Sequence, residues 1–198
     1  MEPYIMTQTS RKHAVIRRVH LPDAQAMKDF LLRLSGDSRR SRFHAVVNDV
    51  SPALLRRLVD ADGERHVAWV ACVWGPNGEE IVGEAVWYLV EPEQRTGEMA
   101  ISVRDDWQGQ GVADEMMRTL IASAREAELR ELYGDVLDAN ARMLAFMRRH
   151  GMHPGICEAP ADPGVVRVGC LFNLPPPVPG DRNVARRSWL VRLSSLWS

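Results

Sequence analysis

The stretch Arg104–Ala113, R-D-D-W-Q-G-Q-G-V-A, places two glycines two residues apart, between an alternating apolar segment and a long amphipathic one. A strand that runs into a glycine-bearing turn and then opens a helix has this pattern. Gly109 and Gly111 carry no Cβ, so the backbone there can turn sharply and let a ligand approach closely. The first amides of the following helix have no intrahelical acceptor. They also sit at the positive end of its dipole, where phosphate groups bind. The expected ligand is therefore phosphorylated. Two common nucleotide motifs do not account for it. The lysine-bearing loop G-x-x-x-x-G-K-[ST] is absent, and Gly109-Gln110-Gly111 supplies only the first half of G-x-G-x-x-G. The run Gln108–Ala113 instead has the form Q-x-x-G-x-A.

Positioning this turn requires an α/β scaffold. Residues Ala14–Val19 read as a first strand, and Pro22 with Asp23 opens a helix to about Leu34. Ser35–Phe43, S-G-D-S-R-R-S-R-F, is a polar loop or short helix. Ser51 and Pro52 form the cap and first turn of a helix to about Val59. His66–Trp74 and Glu80–Val90 are strands joined by a Gly75-Pro76-Asn77-Gly78 hairpin, and Gly97–Val103 is the strand that enters the glycine turn. The longest helix spans Val112–Leu129, with Met116, Met117, Leu120, Ile121 and Ala124 at helical spacing. A strand at Leu132–Leu137 and a helix at Asn140–His150 follow, the helix ending on Gly151 as a left-handed cap. Short strands are expected near Gly155–Glu158 and Val165–Phe172.

The chain has 198 residues, 45% of them apolar, and a net charge of −1. These values suit one packed domain with a tail and give no global bias toward nucleic acid or anionic membranes. Three scattered cysteines, Cys72, Cys157 and Cys170, with no C-x-x-C pair, point to reduced thiols. The first residues lack the apolar core of a signal peptide. The run Val67–Trp74 is far shorter than a membrane span. A soluble cytoplasmic protein is expected. The organisation expected is a flexible start at 1–13, a folded domain at 14–174, and a Pro-rich linker with a basic amphipathic tail at 175–198. In that tail Trp189, Leu193, Leu196 and Trp197 share one face, suited to docking on this domain or a second copy. The alternative is a membrane-surface or partner-binding helix. His150 and His153 flank Gly151 without an evident third ligand, so no metal site is expected. Cys157 reads as a buried strand cysteine rather than a nucleophile.

The Q-x-x-G-x-A run resembles motif A of the GNAT superfamily, the acetyl-CoA-dependent N-acetyltransferases. The element order from Ala14 to Leu174 matches that fold, a mixed central sheet of six to seven strands flanked by about four helices. Three stretches resemble the bacterial protein lysine acetyltransferase (Pat-type) domains more closely. They are S-R-R-S-R-F-H at Ser38–His44, G-E-M-A-I-S-V-R-D-D-W-Q-G-Q-G at Gly97–Gly111, and N-A-R-M-L-A-F-M-R-R-H-G-M at Asn140–Met152.

The resemblance implies acetyl transfer from acetyl-CoA to a primary amine in a ternary complex, with a protein lysine favoured over a small amine. It also implies roles for particular residues. Glu98 is the first candidate for the base that deprotonates the amine, and Asp135 is the second. By pattern alone, Glu98 is a solvent-facing strand residue and Asp135 a strand-edge carboxylate. The main chain of Ile101, Ser102 and Val103 would pair with the pantetheine arm. Gln108, Gly109, Gln110, Gly111, Val112 and Ala113 would form the pyrophosphate turn, and Asn140 would cap its helix and contact the coenzyme. Arg39, Arg40 and Arg42 form a solvated face, or reach the coenzyme's 3′-phosphate or an acidic partner. Two departures stand out. Met147 occupies the position where many relatives carry a tyrosine acid. Asp114 and Glu115 occupy positions that are often basic, and acids there repel a diphosphate. Those departures motivate a second reading, a non-catalytic acyl-CoA-binding module. A homodimer, common in the superfamily, is left open.

Overall fold

The computed structural model describes residues 13–45, 49–76, 78–156 and 162–172. The expected tail, Cys157 and residues 157–158 of the strand expected at 155–158 lie outside the described residues. Among the described residues, seven strands form one sheet in the order β1-β2-β3-β4-β5-β7-β6. They are β1 (Val15–Arg18), β2 (His66–Gly75), β3 (Gly78–Glu91), β4 (Thr96–Val103), β5 (Glu131–Leu137), β6 (His153–Pro154) and β7 (Val165–Leu171). Every neighbouring pair is antiparallel except β4 and β5, which run parallel. The described residues also form five α-helices, α1 (Ala24–Arg33), α2 (Gly36–Phe43), α3 (Pro52–Val59), α4 (Val112–Glu126) and α5 (Ala141–Arg149).

Each face of the sheet carries its own core. On one face Trp87, Met99 and Leu132 pack with Met116, Met117, Leu120 and Ala124 of α4, all at most 3% exposed. Full burial of such a side chain contributes roughly 1.5–3 kcal/mol. The Trp87 indole N–H donates to Ser123 Oγ at 3.0 Å, which satisfies the one polar group it brings into the core. On the other face Val70, Val86 and Cys72 pack with Met27, Phe30 and Leu31 of α1 and Leu58 of α3. Burial pushes the Cys72 thiol up to about 12, so it is an inert packing residue.

The helix ends explain where the elements depart from the expected bounds. The segment Ser35–Phe43, left open as loop or helix, forms α2. The Ser35 hydroxyl caps it by accepting from the Ser38 amide at 3.1 Å. Helix α4 stops at Glu126 instead of running to Leu129. Glu128 takes a left-handed φ of 54°, Leu129 N–H donates to Ala124 O and Glu128 N–H donates to Arg125 O, which closes a Schellman motif without glycine. Helix α5 ends in the same motif, here with Gly151 at φ 78° as expected. The expected strand at Gly155–Glu158 is displaced. The strand is His153–Pro154, directly after the α5 cap, and Gly155 turns out of it at φ 76°.

Candidate active site

The parallel pair β4 and β5 stays in register only at Thr96↔Glu131, Gly97↔Leu132 and Glu98↔Tyr133. Beyond Glu98, β4 is bonded to β3 alone, while β5 continues alongside β7. The strands therefore part, and the β5-facing edge of β4 from Met99 to Val103 has no strand partner among the described residues. Two adjoining cavities occupy the split, of about 460 and 860 Å³, sharing Ser41, Ile101, Asn140 and Met143 among their walls.

Helix α2 borders both cavities, and polar side chains hold it there. The Asp105 carboxylate accepts from the Ser35 amide at 2.9 Å, the Ser35 hydroxyl at 2.9 Å and the Ser38 hydroxyl at 2.8 Å. Asn140 Nδ2 donates to Ser41 Oγ at 3.3 Å. Arg42 reaches through to the sheet, donating from Nη2 to Glu84 Oε1 at 2.9 Å, with both side chains 1% exposed. Arg39 donates to the carbonyls of Leu32 and Leu34 at 3.0 and 2.8 Å, closing the end of α1. The expectation of a free arginine face in this segment is thus corrected. Arg42 is buried and paired, Arg39 caps a helix, and Arg40 is the one of the three that stays exposed, at the wall of the larger cavity.

The smaller cavity lies against the glycine turn. Gly109 and Gly111 have φ of 73° and 89°, the left-handed region that favours glycine. A Cβ at either position would meet nothing within 4 Å, so the backbone conformation and the space before it demand glycine, not packing. The first backbone bond of α4 runs from Glu115 N–H to Gly111 O at 3.1 Å, so the amides of Val112, Ala113 and Asp114 have no intrahelical acceptor. Ile101, Ser102, Val103, Gln108, Gly109, Gly111, Ala113 and Asn140 all line this cavity. Val112 instead is buried in the core, and Gln110 is not part of the cavity wall. Two side chains of the set brace the site. Gln108 Nε2 donates to Val103 O at 3.1 Å, and its Oε1 accepts from Arg142 at 2.9 Å. Asn140 Oδ1 caps α5 by accepting from the Met143 amide at 3.0 Å.

The larger cavity holds the titratable groups. Glu98, Tyr133, Asp135 and Arg167 share one face by register, Glu98 opposite Tyr133 and Asp135 opposite Arg167. Burial pushes the Glu98 carboxyl above the usual carboxylate range, and the neighbouring Asp135 charge pushes it the same way. Tyr133 Oη donates to Glu98 Oε2 over a long 3.4 Å. Asp135 is engaged differently. Arg167 Nε and Nη2 donate to its two oxygens, both at 2.7 Å. The same guanidinium lies 4.1 Å above the Tyr133 ring. Of the two carboxylates, Asp135 is held in a bidentate pair with Arg167, and Glu98 carries the long contact from Tyr133. Burial also holds the His44 imidazole below its ordinary value. His44, Tyr133 and Arg167 were not singled out as site residues by spacing. Their place here follows from the parting of the strands and from α2 ending on a left-handed His44.

Nor is Asp114 the free repulsive charge that its position suggests. Its Oδ1 is 2.9 Å from His150 Nε2 and 3.9 Å from Arg149 Nη2. Glu115 is exposed and outside the cavity wall. Met147 is buried in the core and borders the larger cavity, so this position offers no proton donor.

A sheet split between parallel strands, with a glycine turn opening a helix at its mouth, is the arrangement of an acyltransferase site. Residues 14–153 match the family described as Acetyltransferase (GNAT) domain, and the chain belongs to that family. It is 34% identical over 132 residues to the acetyltransferase PA5475 of Pseudomonas aeruginosa, covering 67% of this chain and 70% of that one. Among solved structures it is similar to the GNAT domain of S. lividans PAT. That likeness has a TM-score of 0.73 and 25% identity over 80% of this chain and 90% of the other. A GNAT-family acetyltransferase from Streptococcus pneumoniae has the same fold, with a TM-score of 0.64 and 18% identity over 81% of this chain and 100% of that one. The protein is an acyltransferase of the GNAT fold. No helix among the described residues is long and apolar enough to cross a membrane.

Proposed function

We propose that the chain transfers an acetyl group from acetyl-CoA to a cationic primary amine, with a protein lysine as the acceptor. The observation that carries this reading is Glu98. It is a desolvated carboxyl at the point where β4 and β5 part, inside a cavity whose wall is rich in acids. Asp37, Glu91, Glu98, Asp135, Asp138 and Asp162 line that cavity against Arg40, Arg42 and Arg167. Arg42 is neutralised by Glu84 from outside the wall, and Arg167 and Asp135 cancel each other, which leaves five acids against Arg40. A wall of this charge attracts an ammonium and disfavours an acceptor that carries its own carboxylate. The resemblance to protein lysine acetyltransferase domains and the structural likeness to the S. lividans PAT domain support a lysine.

The residues present fit coenzyme A. The β5-facing edge of β4 at Ile101–Val103 has no strand partner among the described residues and is placed to bond an extended amide-bearing arm, and the first amides of α4, which have no intrahelical acceptor, suit a diphosphate. Ser102 Oγ is buried at the wall of the smaller cavity and has no hydrogen-bond partner among the described residues, an orphan that a ligand amide would satisfy. Acetyl-CoA supplies the activated acyl group as a thioester. The chain does the rest. Glu98 accepts the proton that the ammonium must lose before it can attack. An amide of the Ile101–Val103 edge donates to the developing oxyanion. Water protonates the departing thiolate, because Met147 cannot.

The test joins calorimetric titration with acetyl-CoA to an assay of released CoA thiol. The acceptors are a lysine peptide, a small diamine and an amino acid whose only free amine adjoins a carboxylate. Binding of acetyl-CoA with turnover of the lysine peptide supports the reading. Turnover of the carboxylate-bearing amine in preference to the cationic ones overturns the acceptor assignment. A small-amine acetyltransferase is the outcome if the diamine alone reacts.

A further inference from the structure

The cations at the glycine-turn end of the smaller cavity come from α5, not from the first turn of α4. The first turn of α4 presents Asp114 and Glu115. The guanidinium groups at the wall are those of Arg142 and Arg149 on α5, since Arg42 is spent on Glu84. Arg142, Phe146 and Arg149 stand at i, i+4 and i+7, so they form one stripe along α5, and all three line the cavity facing Gly109 and Gly111. Phe146 is buried and fixes the stripe's orientation.

Both arginines are tied to the glycine-turn region, through side chains that a phosphate can replace or share. Arg142 Nη1 donates to Gln108 Oε1 at 2.9 Å, a neutral acceptor at the start of the turn. Arg149 Nη2 lies 3.9 Å from Asp114 Oδ1, too long for a hydrogen bond but close enough for attraction, and its side chain is 62% exposed. The same Asp114 oxygen is 2.9 Å from His150 Nε2, whose ring packs on Phe146 with centroids 4.7 Å apart. Asp114 therefore joins the start of α4 to the end of α5.

We infer that α5 supplies the positive charge for the coenzyme's phosphates through Arg142 and Arg149, and that Asp114 is a positioning residue that holds the end of α5 against the glycine turn. This rests on the acetyl-CoA reading above. Coenzyme A carries a diphosphate and a separate 3′-phosphomonoester, more negative charge than one helix-start turn can match. A guanidinium presents a planar fork suited to phosphate oxygens, so it can exchange an amide or a long ion pair for a bidentate contact.

The sign of one substitution separates this inference from its opposite. If Asp114 only repels the coenzyme, Asp114→Asn tightens CoA binding. If it positions α5, the same change weakens CoA binding several-fold, and Asp114→Glu restores part of the loss. Titration calorimetry with CoA on the full chain reads both. Arg142→Gln and Arg149→Gln are each expected to raise the Kd for CoA about tenfold, the loss of one charge-assisted contact, and to flatten its salt dependence. The control is turnover of S-acetylpantetheine, which has no phosphate, so each variant should lose much less kcat/KM with it than with acetyl-CoA. Unchanged CoA affinity in both arginine variants, tighter binding by Asp114→Asn, or an equal loss with S-acetylpantetheine overturns the inference. Failure of the unaltered chain to bind CoA would instead overturn the acetyl-CoA reading itself.

Discussion

Replacing Glu98 by Gln removes the proposed base while keeping the side chain's size and its hydrogen bond from Tyr133, and the pH dependence of the result is calculable. A free lysine amine titrates near ~10.4, so at about pH 7.5 only roughly 1 in 800 is neutral and able to attack. An enzyme base that takes the proton within the site offsets that deficit, and base catalysis of this kind is worth about 10²–10⁴-fold. The kcat/KM of Glu98→Gln for a lysine peptide is therefore expected to fall about 10³-fold near neutral pH. It should then rise tenfold per pH unit as the amine deprotonates in solution, closing most of the gap above about pH 10. The unaltered chain should lose activity toward acid, as Glu98 protonates. That limb falls at a higher pH than an ordinary glutamate would give, because burial and the Asp135 charge raise the carboxyl. The assay is CoA thiol release across pH at saturating acetyl-CoA, with the Kd for acetyl-CoA measured in parallel. A loss that is constant across pH would refute the reasoning, since it would assign Glu98 to architecture. An unchanged rate would move the base to another group of the same cavity, with His44 and Asp135 the next to test.

The same variant should be more stable than the unaltered chain at neutral pH. A carboxyl whose folded pKa is raised binds its proton more tightly in the folded state, so stability falls as pH rises from the unfolded value through the folded one, and Glu98→Gln escapes that loss; a lower Tm near pH 7.5 contradicts this. Arg42→Met leaves Glu84 buried and unpaired, at a cost of about 3–5 kcal/mol, or about 6–20 °C in Tm for a chain of this size. Adding Glu84→Gln should recover most of it, and a double variant no more stable than the single one would refute the pairing argument. Gly111→Ala places an alanine at φ 89° with open space around its Cβ, so thermal melting should show only about 1–2 kcal/mol of backbone strain. CoA affinity should drop by far more than that strain implies, because the methyl blocks approach to the first amides of α4. Asp138→Asn with Asp162→Asn should raise KM for a lysine peptide and leave the Kd for acetyl-CoA unchanged, which steady-state kinetics and calorimetry separate.

What the sequence showed of this molecule was what is encoded locally. The glycine turn, the Asn140 and Ser51 caps, the Gly151 stop and the long α4 each depend on residues within a few positions of one another, and each formed as expected, apart from the last turn of α4. The α4 end was misplaced because a glutamate occupied the left-handed position that glycine usually marks. The contents of the site were less legible because their determinants lie far apart in the chain. Arg42 reads as a surface arginine until Glu84, 42 residues away, is beside it. Asp114 reads as a repulsive charge until His150, 36 residues away, reaches it. Glu98 reads as an exposed strand residue until the parting of β4 from β5 places Asp135 and Tyr133 beside it.

The Arg42–Glu84 pair shows how the fold and the site depend on each other. A buried pair of this kind is poor evidence for stability, since apolar residues of similar volume often do as well. Its value here is positional. Helix α2 has few apolar side chains with which to hold itself to the sheet, only Phe43 and Arg42 being buried in it. Yet it carries Ser38 and Ser41 to the walls of the smaller cavity and ends at His44 in the larger one. An apolar contact would tolerate sliding, whereas Nε and Nη2 of Arg42 on the two oxygens of Glu84 fix both distance and rotation. Replacing the pair by Met and Leu should therefore leave Tm within a few degrees while lowering kcat/KM, because α2 would be held but no longer registered. If that double variant retained full activity, the pair would be a packing solution only, and the hydrogen bonds that Ser35 and Ser38 donate to Asp105 would suffice to place α2.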